Sequence, residues 1–224
     1  MGARPVATML TRLLQPLTLF LAQPVKPPAD RSDPLSLRDW LLPGDVLLTD
    51  GITRGAALVR RITRSPWAHV SMYVGPLGEG PDAHCIVEAD VAAGVRSVPL
   101  SELAGQQLRV LRPRGLEHAD RRRLADWVVG RIGDAYDFAH AWRLAIALRL
   151  PFLARLASAG GAMAQNSTRF ICSTLVAHAF LLVGYTIPAL QLAALAADAE
   201  GHRYVTPQDF ELAPAFEVLS LDVR

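Results

Sequence analysis

The chain has 224 residues, of which 51% are hydrophobic, so it is long enough for one compact domain and does not require two. Its formal net charge is +2, and 23 basic residues are mixed with 21 acidic ones, which argues against a nucleic-acid partner. Two cysteines are too few for a disulfide scaffold. Without a C-x-x-C pair or an H-E-x-x-H motif, the sequence predicts no metal site and no other cofactor.

Residues 1–33 differ from the rest and are predicted to be an N-terminal apolar segment followed by a proline-rich linker. The apolar run at 13–22 is too short to span a bilayer, and the arginines before it make only a poor export signal. This segment is expected either to pack on the domain or to rest on a membrane surface. Localisation therefore stays open between the cytoplasm, the membrane periphery and export.

Residues 34–224 are predicted to form the domain proper, which contains several short strands. Apolar runs bounded by glycine and proline favour strands at 46–48, 68–75, 84–89, 95–98, 108–111 and 216–219. The second and third of these are separated only by a turn, so they are expected to pair as an antiparallel hairpin.

Helical spacing predicts helices over 55–63 and 118–132, with residues 121–123 forming a solvated basic face. The inward positions of the longer helix are expected to be Leu124, Trp127, Val128 and Ile132. An apolar, arginine-dotted insert at 141–164 is expected to form either a lid over a cleft or an interfacial membrane segment. Strands followed by helices suit an α+β domain with an antiparallel sheet on a helical layer.

Cys172 lies where a turn feeds into an apolar helix, for which Ser167 or Thr168 is the expected N-cap. The positive end of a helix dipole favours thiolate over thiol, and a thiolate is a nucleophile. The alternative is that Cys172 is a small buried hydrophobic residue, as most free cysteines are. This stretch alone does not decide between them.

A cysteine nucleophile needs a base, and the base needs a polar group that orients it. His178 follows Cys172 on the same helix but points away from the helix start. His69 begins an apolar strand, and Glu88 lies on the strand expected to pair with it. A carboxylate in such a buried strand needs a partner, although Glu88 could instead face solvent.

Several short motifs follow one another in a fixed order along the chain. They are Pro43-Gly44-Asp45, Ser65-Pro66-Trp67-Ala68-His69-Val70, Val87-Glu88-Ala89, Tyr136-Asp137-Phe138, Phe170-Ile171-Cys172-Ser173-Thr174-Leu175-Val176 and Thr206-Pro207-Gln208-Asp209. Together they resemble the circularly permuted NlpC-like, papain-fold cysteine hydrolases of the YiiX/YebB-like group, over roughly residues 40–220. Ordinary papain-like enzymes place the cysteine before the histidine, whereas here the histidine comes first.

The resemblance implies an α+β, circularly permuted papain-like fold, with an antiparallel sheet packed against helices and the nucleophile at a helix N-terminus. It implies that Cys172 is the nucleophile, His69 the general base and Glu88 the group that orients the histidine. The substrate-binding residues are predicted to be Tyr136, Trp67 and Ser173.

The implied activity is that of a cysteine hydrolase or acyltransferase that cleaves an amide or ester through an acyl-enzyme. The insert at 141–164 favours a lipid-like acyl substrate and, with residues 13–22, a peripheral membrane contact. The alternatives are a cell-wall peptide amidase or endopeptidase, and a non-catalytic binding module at a membrane surface. The expected partner is a small acyl amide, ester or peptide.

Overall fold

The structure is a computed structural model of the chain, which describes residues 20, 23–25, 34–80, 82–136, 169–185, 187 and 205–219. The predicted insert at 141–164 and most of the N-terminal segment lie outside these residues, as do Ser167 and Thr168. No helix within the described ranges is both long enough and apolar enough to cross a membrane.

Eight strands and four α-helices make up the described fold. In chain order they are β1 (Val46–Thr49), α1 (Arg54–Thr63), β2 (His69–Pro76), β3 (His84–Asp90), β4 (Gly94–Pro99), β5 (Leu108–Pro113), α2 (His118–Val129), β6 (Ala135–Tyr136), β7 (Arg169–Phe170), α3 (Cys172–Leu182), α4 (Pro207–Leu212) and β8 (Phe216–Leu219). Two short 3-10 turns, Pro34–Leu37 and Leu100–Leu103, complete the set.

Six strands form one antiparallel sheet in the order β4-β3-β2-β1-β5-β8, which confirms the predicted α+β class and the β2–β3 hairpin. The remaining two, β6 and β7, form a separate parallel pair in which Tyr136 is the register partner of Phe170. These two-residue strands are too short to carry a periodic pattern, so the sequence does not predict them.

The sheet is covered on both sides, because successive side chains of a strand point to opposite faces. On one side, Val46 and Leu48 of β1 join an apolar cluster with Leu124 of α2 and Phe180 of α3. On the other side, Leu47 joins a smaller cluster with the two 3-10 turns. Full burial of such a side chain contributes about 1.5–3 kcal/mol. The helices are thereby held against the central strands that carry the site.

Two expectations for the helix at 118–132 are wrong. Ile132 is 42% exposed, because α2 ends at Val129 and the chain leaves the helical path before Ile132. Arg121 is buried and does not belong to a solvated face, since its Nη1 lies 3.2 Å from Oδ1 of Asp45. Asp45 is fully buried and also accepts Nη2 of Arg112 at 2.6 Å. This network ties the Pro43-Gly44-Asp45 turn to α2 and β5, so the motif has a structural role.

The helix that carries Cys172 begins later than the sequence suggests. Residues 169–170 are extended in β7, so α3 begins at Cys172 and Ile171 is its N-cap. The hydroxyl of Thr174 accepts the Ile171 N–H at 3.1 Å and donates to the Ile171 carbonyl at 3.1 Å. The first turn is therefore fixed by a side chain inside the helix.

Candidate active site

His69 and Glu88 lie at the same end of the β2–β3 hairpin. The ladder between these strands runs from the pair Pro76–His84 to the pair Met72–Val87. His69 precedes Met72 on β2 and Glu88 follows Val87 on β3, so both residues lie just beyond the last pair. Side chains at the end of a ladder have room to meet a third element.

The imidazole of His69 contacts the carboxylate of Glu88. Nε2 lies 2.8 Å from Oε2, and the two side chains are 25% and 9% exposed respectively. At this distance the imidazolium and the carboxylate form an ion pair. The solvent-facing alternative for Glu88 is therefore wrong.

Arg96 is a further member of this cluster that the sequence does not predict. It is the register partner of Glu88 on β4, and its Nε and Nη2 lie 3.0 Å and 2.8 Å from Oε1 of Glu88. Each carboxylate oxygen of Glu88 thus meets one basic side chain. Finding Arg96 from sequence would require the β3–β4 register, which no short-range pattern supplies.

The ionisation of Glu88 follows from these neighbours. Burial would raise its pKa, but the charge and hydrogen bonding of His69, and then of Arg96, lower the pKa from 4.5 to about 2. Glu88 is consequently a carboxylate throughout the neutral range.

Cys172 is the first residue of α3, and only Ile171 separates it from β7. Its thiol interacts with the His69 imidazole and with the backbone N–H groups of Val70 and Ser173. Burial would raise the pKa of the thiol, but the charge of His69 and these hydrogen bonds lower it below its ordinary value. Since Nε2 of His69 faces Glu88, Nδ1 is the ring nitrogen left for the sulfur.

The pKa of the His69 imidazole is shifted in the opposite direction from that of the thiol. Burial would lower the pKa of His69, but the charges of Cys172 and then Glu88 raise it well above 6.5. A lowered thiol pKa and a raised imidazole pKa favour the thiolate–imidazolium pair. Such a pair combines a nucleophile with a proton donor at neutral pH.

Residues 41–145 match the model of a family described as "Permuted papain-like amidase enzyme, YaeF/YiiX, C92 family". The chain has a permuted papain-like fold and is a cysteine hydrolase. The match includes His69 and Glu88 and ends before Cys172. The relation to NlpC-like enzymes is not named in this description or in that of the similar solved structure, so it stays a prediction.

One solved structure similar to this hydrolase is the crystal structure of the metalloprotein YiiX from Escherichia coli O157:H7. The two chains are 18% identical, with a TM-score of 0.53 over 80% of this chain and 96% of that one. This likeness shows the fold. No curated protein matches the chain.

The YiiX neighbour is described as a metalloprotein. Within the described part of the hydrolase, no three His, Cys, Asp or Glu side chains lie together in a way that could hold a metal ion. The donors at the site pair with one another and with Arg96, so the described residues do not fit a bound metal.

The three residues predicted to bind substrate have different surroundings. The backbone of Tyr136 pairs with that of Phe170, which precedes Cys172 by two residues. The side chain of Tyr136 lies outside the part of the chain that the structure describes. Trp67 is 1% exposed and so has little surface to offer a substrate. The buried hydroxyl of Ser173 donates to the Val205 carbonyl at 2.7 Å, which leaves its backbone N–H as the group near the sulfur.

Trp67 instead anchors the segment that leads into His69. Its indole Nε1 donates to Oε2 of Glu211 on α4 at 2.7 Å, and Nη1 of Arg109 lies 2.6 Å from Oε1 of the same carboxylate. The Arg109 guanidinium also lies 5.3 Å from the centre of the indole ring. The sequence motif around Trp67 thus holds the start of β2 in place.

Cys85 provides a comparison for the site cysteine. It is buried on β3, and its thiol donates to the Ala83 carbonyl at 3.3 Å. Burial raises the pKa of Cys85, whereas the pKa of Cys172 is lowered. The two free thiols therefore differ in ionisation in the direction expected for a structural and a reactive cysteine.

Proposed function

We propose that this hydrolase cleaves amide or ester bonds through an acyl-enzyme on Cys172, with His69 as the general base and Glu88 as the orienting carboxylate. The observation that carries the proposal is that the His69 imidazole lies 2.8 Å from the Glu88 carboxylate and also interacts with the Cys172 thiol at the start of α3. Nucleophile, base and orienting group in this order form the arrangement that acyl transfer requires.

In the first step the Cys172 thiolate attacks the acyl carbon, and the carbonyl electron pair moves to oxygen. The tetrahedral intermediate collapses as the imidazolium of His69 gives its proton to the leaving amine or alcohol. The products are a thioester on Cys172, neutral His69 and the released amine or alcohol.

In the second step neutral His69 removes a proton from water, and the resulting oxygen nucleophile attacks the thioester carbon. Collapse of this second intermediate releases a carboxylic acid and restores the thiolate–imidazolium pair. An amine or alcohol acceptor in place of water would give acyl transfer by the same route.

The oxyanion formed in each step needs hydrogen-bond donors. The backbone N–H of Cys172 is one candidate, because the first N–H groups of a helix have no acceptor one turn earlier. In acyl-transfer enzymes, removal of a single such donor lowers kcat by roughly 100- to 1,000-fold.

For the substrate we favour an amide with a lipid-like acyl part. The family description "amidase" supports an amide over an ester. The lipid-like acyl group rests on the apolar insert at 141–164, which with residues 13–22 would provide a peripheral membrane contact. A peptide amide is the second candidate, since the same description favours it equally at the scissile bond.

Trapping the acyl-enzyme tests this proposal. The full chain is mixed with p-nitrophenyl esters and acyl p-nitroanilides of two to sixteen carbons, and intact mass and released nitrophenol or nitroaniline are followed. We expect one acyl group per chain at Cys172, with none on Cys172→Ala and an unchanged amount on Cys85→Ser.

Acylation that survives Cys172→Ala would contradict the proposal, because the nucleophile would lie elsewhere. Turnover without any acylated species, even after acid quenching within milliseconds, would contradict the covalent route. A rate independent of acyl length with faster cleavage of peptidyl amides would favour the peptide substrate.

A further inference from the structure

Helix α1 has an unusual surface for a helix of a folded domain. All ten of its residues are described, and none of them is buried. The sequence from residue 51 to residue 78 contains arginines but no aspartate or glutamate, in a chain whose overall charges nearly balance. The sequence of the helix and its flanks is therefore strongly cationic.

One side of α1 faces its own domain. Nη1 of Arg60 donates to the carbonyls of Asp50 and Gly51, the latter at 3.0 Å. Gly51 itself lies so close to Ala56 that a Cβ at Gly51 would be 2.5 Å from the Ala56 Cβ. Residues 56 and 60 thus mark the inner side of the helix.

The apolar residues of α1 point outward. Leu58 is two steps of about 100° from both Ala56 and Arg60, so it lies on the opposite side of the helix. It is 47% exposed, and its neighbour Val59 is exposed as well. Amphipathic helices of globular domains normally turn such residues inward.

The N-terminal segment extends this apolar surface. Val25 donates its N–H to the Ile52 carbonyl at 2.8 Å, and the Arg54 guanidinium lies 4.5 Å from the centre of the Phe20 ring. Phe20 and Val25 are both exposed. We call Phe20, Val25, Leu58 and Val59, with the exposed arginines Arg54, Arg61 and Arg64, the α1 surface.

The α1 surface adjoins the catalytic end of the sheet. Thr49, which precedes α1, is the register partner of His69, and α1 ends six residues before His69. Both connections of the helix therefore begin at the sheet end where His69 lies. The α1 surface therefore belongs to the connection between β1 and β2 at the sheet end that carries His69.

We propose that the α1 surface binds an anionic membrane and presents the site to acyl groups carried there. Arginines beside exposed leucine, valine and phenylalanine match a lipid headgroup boundary, where the cations meet phosphates and the apolar side chains enter the acyl region. A polyanion such as nucleic acid would use the arginines but leave the apolar residues in water. This inference rests on the proposed function for its substrate, but the binding itself does not.

Vesicle sedimentation tests the binding. The full chain is spun with vesicles of pure phosphatidylcholine or with 30% phosphatidylglycerol, at low and high salt. We expect binding to the anionic vesicles only, weakened by salt because exposed charges are screened. Leu58→Gln should weaken the partition coefficient by about tenfold. Arg54→Gln with Arg64→Asn should weaken it by about 25-fold, since each arginine near an anionic surface contributes about fivefold.

Matched controls separate this surface from general exposure. Leu77→Gln replaces a leucine that is 44% exposed beyond the opposite end of β2, and Arg123→Gln removes an exposed arginine paired with Asp120. Both should bind vesicles like the unaltered chain. Asparagine is chosen at residue 64 because this position has a φ of 56°, which asparagine tolerates.

Hydrolysis of a soluble short-chain ester distinguishes the two proposals. All α1 variants should retain it, and Cys172→Ser should lose it while still binding vesicles. Absent vesicle binding with intact ester hydrolysis would overturn the membrane inference and leave the proposed function standing. Equal loss in the controls would also overturn it, as would a dimer of the unaltered chain that Leu58→Gln dissociates, since the occupant would then be a second copy.

Discussion

Arg96 lies directly opposite Glu88 in the β3–β4 register and holds Oε1 of that carboxylate with Nε at 3.0 Å and Nη2 at 2.8 Å. The other oxygen is thereby directed toward His69, 2.8 Å from Nε2. The line of contacts from the thiol thus continues through the imidazole and the carboxylate to a guanidinium at the protein surface.

Arg96→Gln should lower kcat by about tenfold with little change in KM, because Glu88 loses the contacts that fix its orientation. A hydrogen bond to a charged group is worth roughly 1.5–3 kcal/mol, of which only part acts on the transition state. The pKa of Glu88 should rise from about 2, so the acid limb of the pH–rate profile should move to higher pH. Arg96→Lys should recover part of the rate. Equal kinetics for Arg96→Gln and the unaltered chain would remove the positioning role.

Glu88→Gln should move the acid limb of Cys172 alkylation by iodoacetamide to higher pH. The carboxylate raises the pKa of His69, so without it the imidazolium is less stable and stabilises the Cys172 thiolate less. Some reactivity should remain, because His69 is still present. The measurement is the alkylation rate from pH 4 to pH 10 in a Cys85→Ser background. An unchanged acid limb would return Glu88 to a structural role.

Glu88 should also make folding stability depend on pH in the acid range. Its pKa is lowered from 4.5 to about 2 in the folded chain, so its contribution is fully present above pH 4.5 and is lost as pH falls toward 2. The contribution is about 3 kcal/mol for a side chain that is 9% exposed. Urea unfolding at pH 6 and pH 3 should show a smaller loss of stability for Glu88→Gln than for the unaltered chain. Parallel losses would contradict the lowered pKa.

Gly94→Ala should destabilise the chain by about 2–4 kcal/mol and slow alkylation of Cys172. Gly94 has a φ of +77°, and a Cβ there would lie 2.4 Å from the Asp134 carbonyl oxygen. Displacement of residue 134 would disturb β6, whose partner β7 leads into Cys172.

Gly80→Ala is the matched control for that change. Gly80 has a similarly positive φ of +98° but nothing within 4 Å of the added methyl group. It should therefore show only the backbone strain, about 1 kcal/mol, with normal alkylation. If both variants lose equal stability by urea unfolding, the close approach to Asp134 has no energetic consequence.

The local pattern of the sequence predicts much of the fold. Alternating or continuous apolar runs between turns predict the six strands of the sheet, because a strand that buries one or both faces must show such a pattern. The pattern also places Cys172 at the start of a helix, and His69 and Glu88 on paired strands. The positions of these three residues on their helix and strands can be predicted because they depend on local sequence patterns and on the antiparallel hairpin.

Long-range contacts are less predictable. Arg121 belongs to a basic triplet that suggests a solvent-exposed face, yet it is buried against Asp45, a residue 76 positions earlier in the chain. Ile132 continues the apolar spacing of α2 beyond the point where the helix ends. Spacing alone shows neither the partner of a charge nor the residue at which a helix stops.

By itself, the sequence determined which segments form strands and helices and that β2 and β3 form a hairpin. It also placed Cys172 at the start of a helix and His69 at the start of a strand. Each of these features depends on residues that are close in the chain. Only the tertiary structure decided that Arg96 holds Glu88, that Trp67 is an anchor and that α1 turns its apolar residues outward. Strand register and helix orientation depend on how distant segments pack, and packing energies are summed over the whole core.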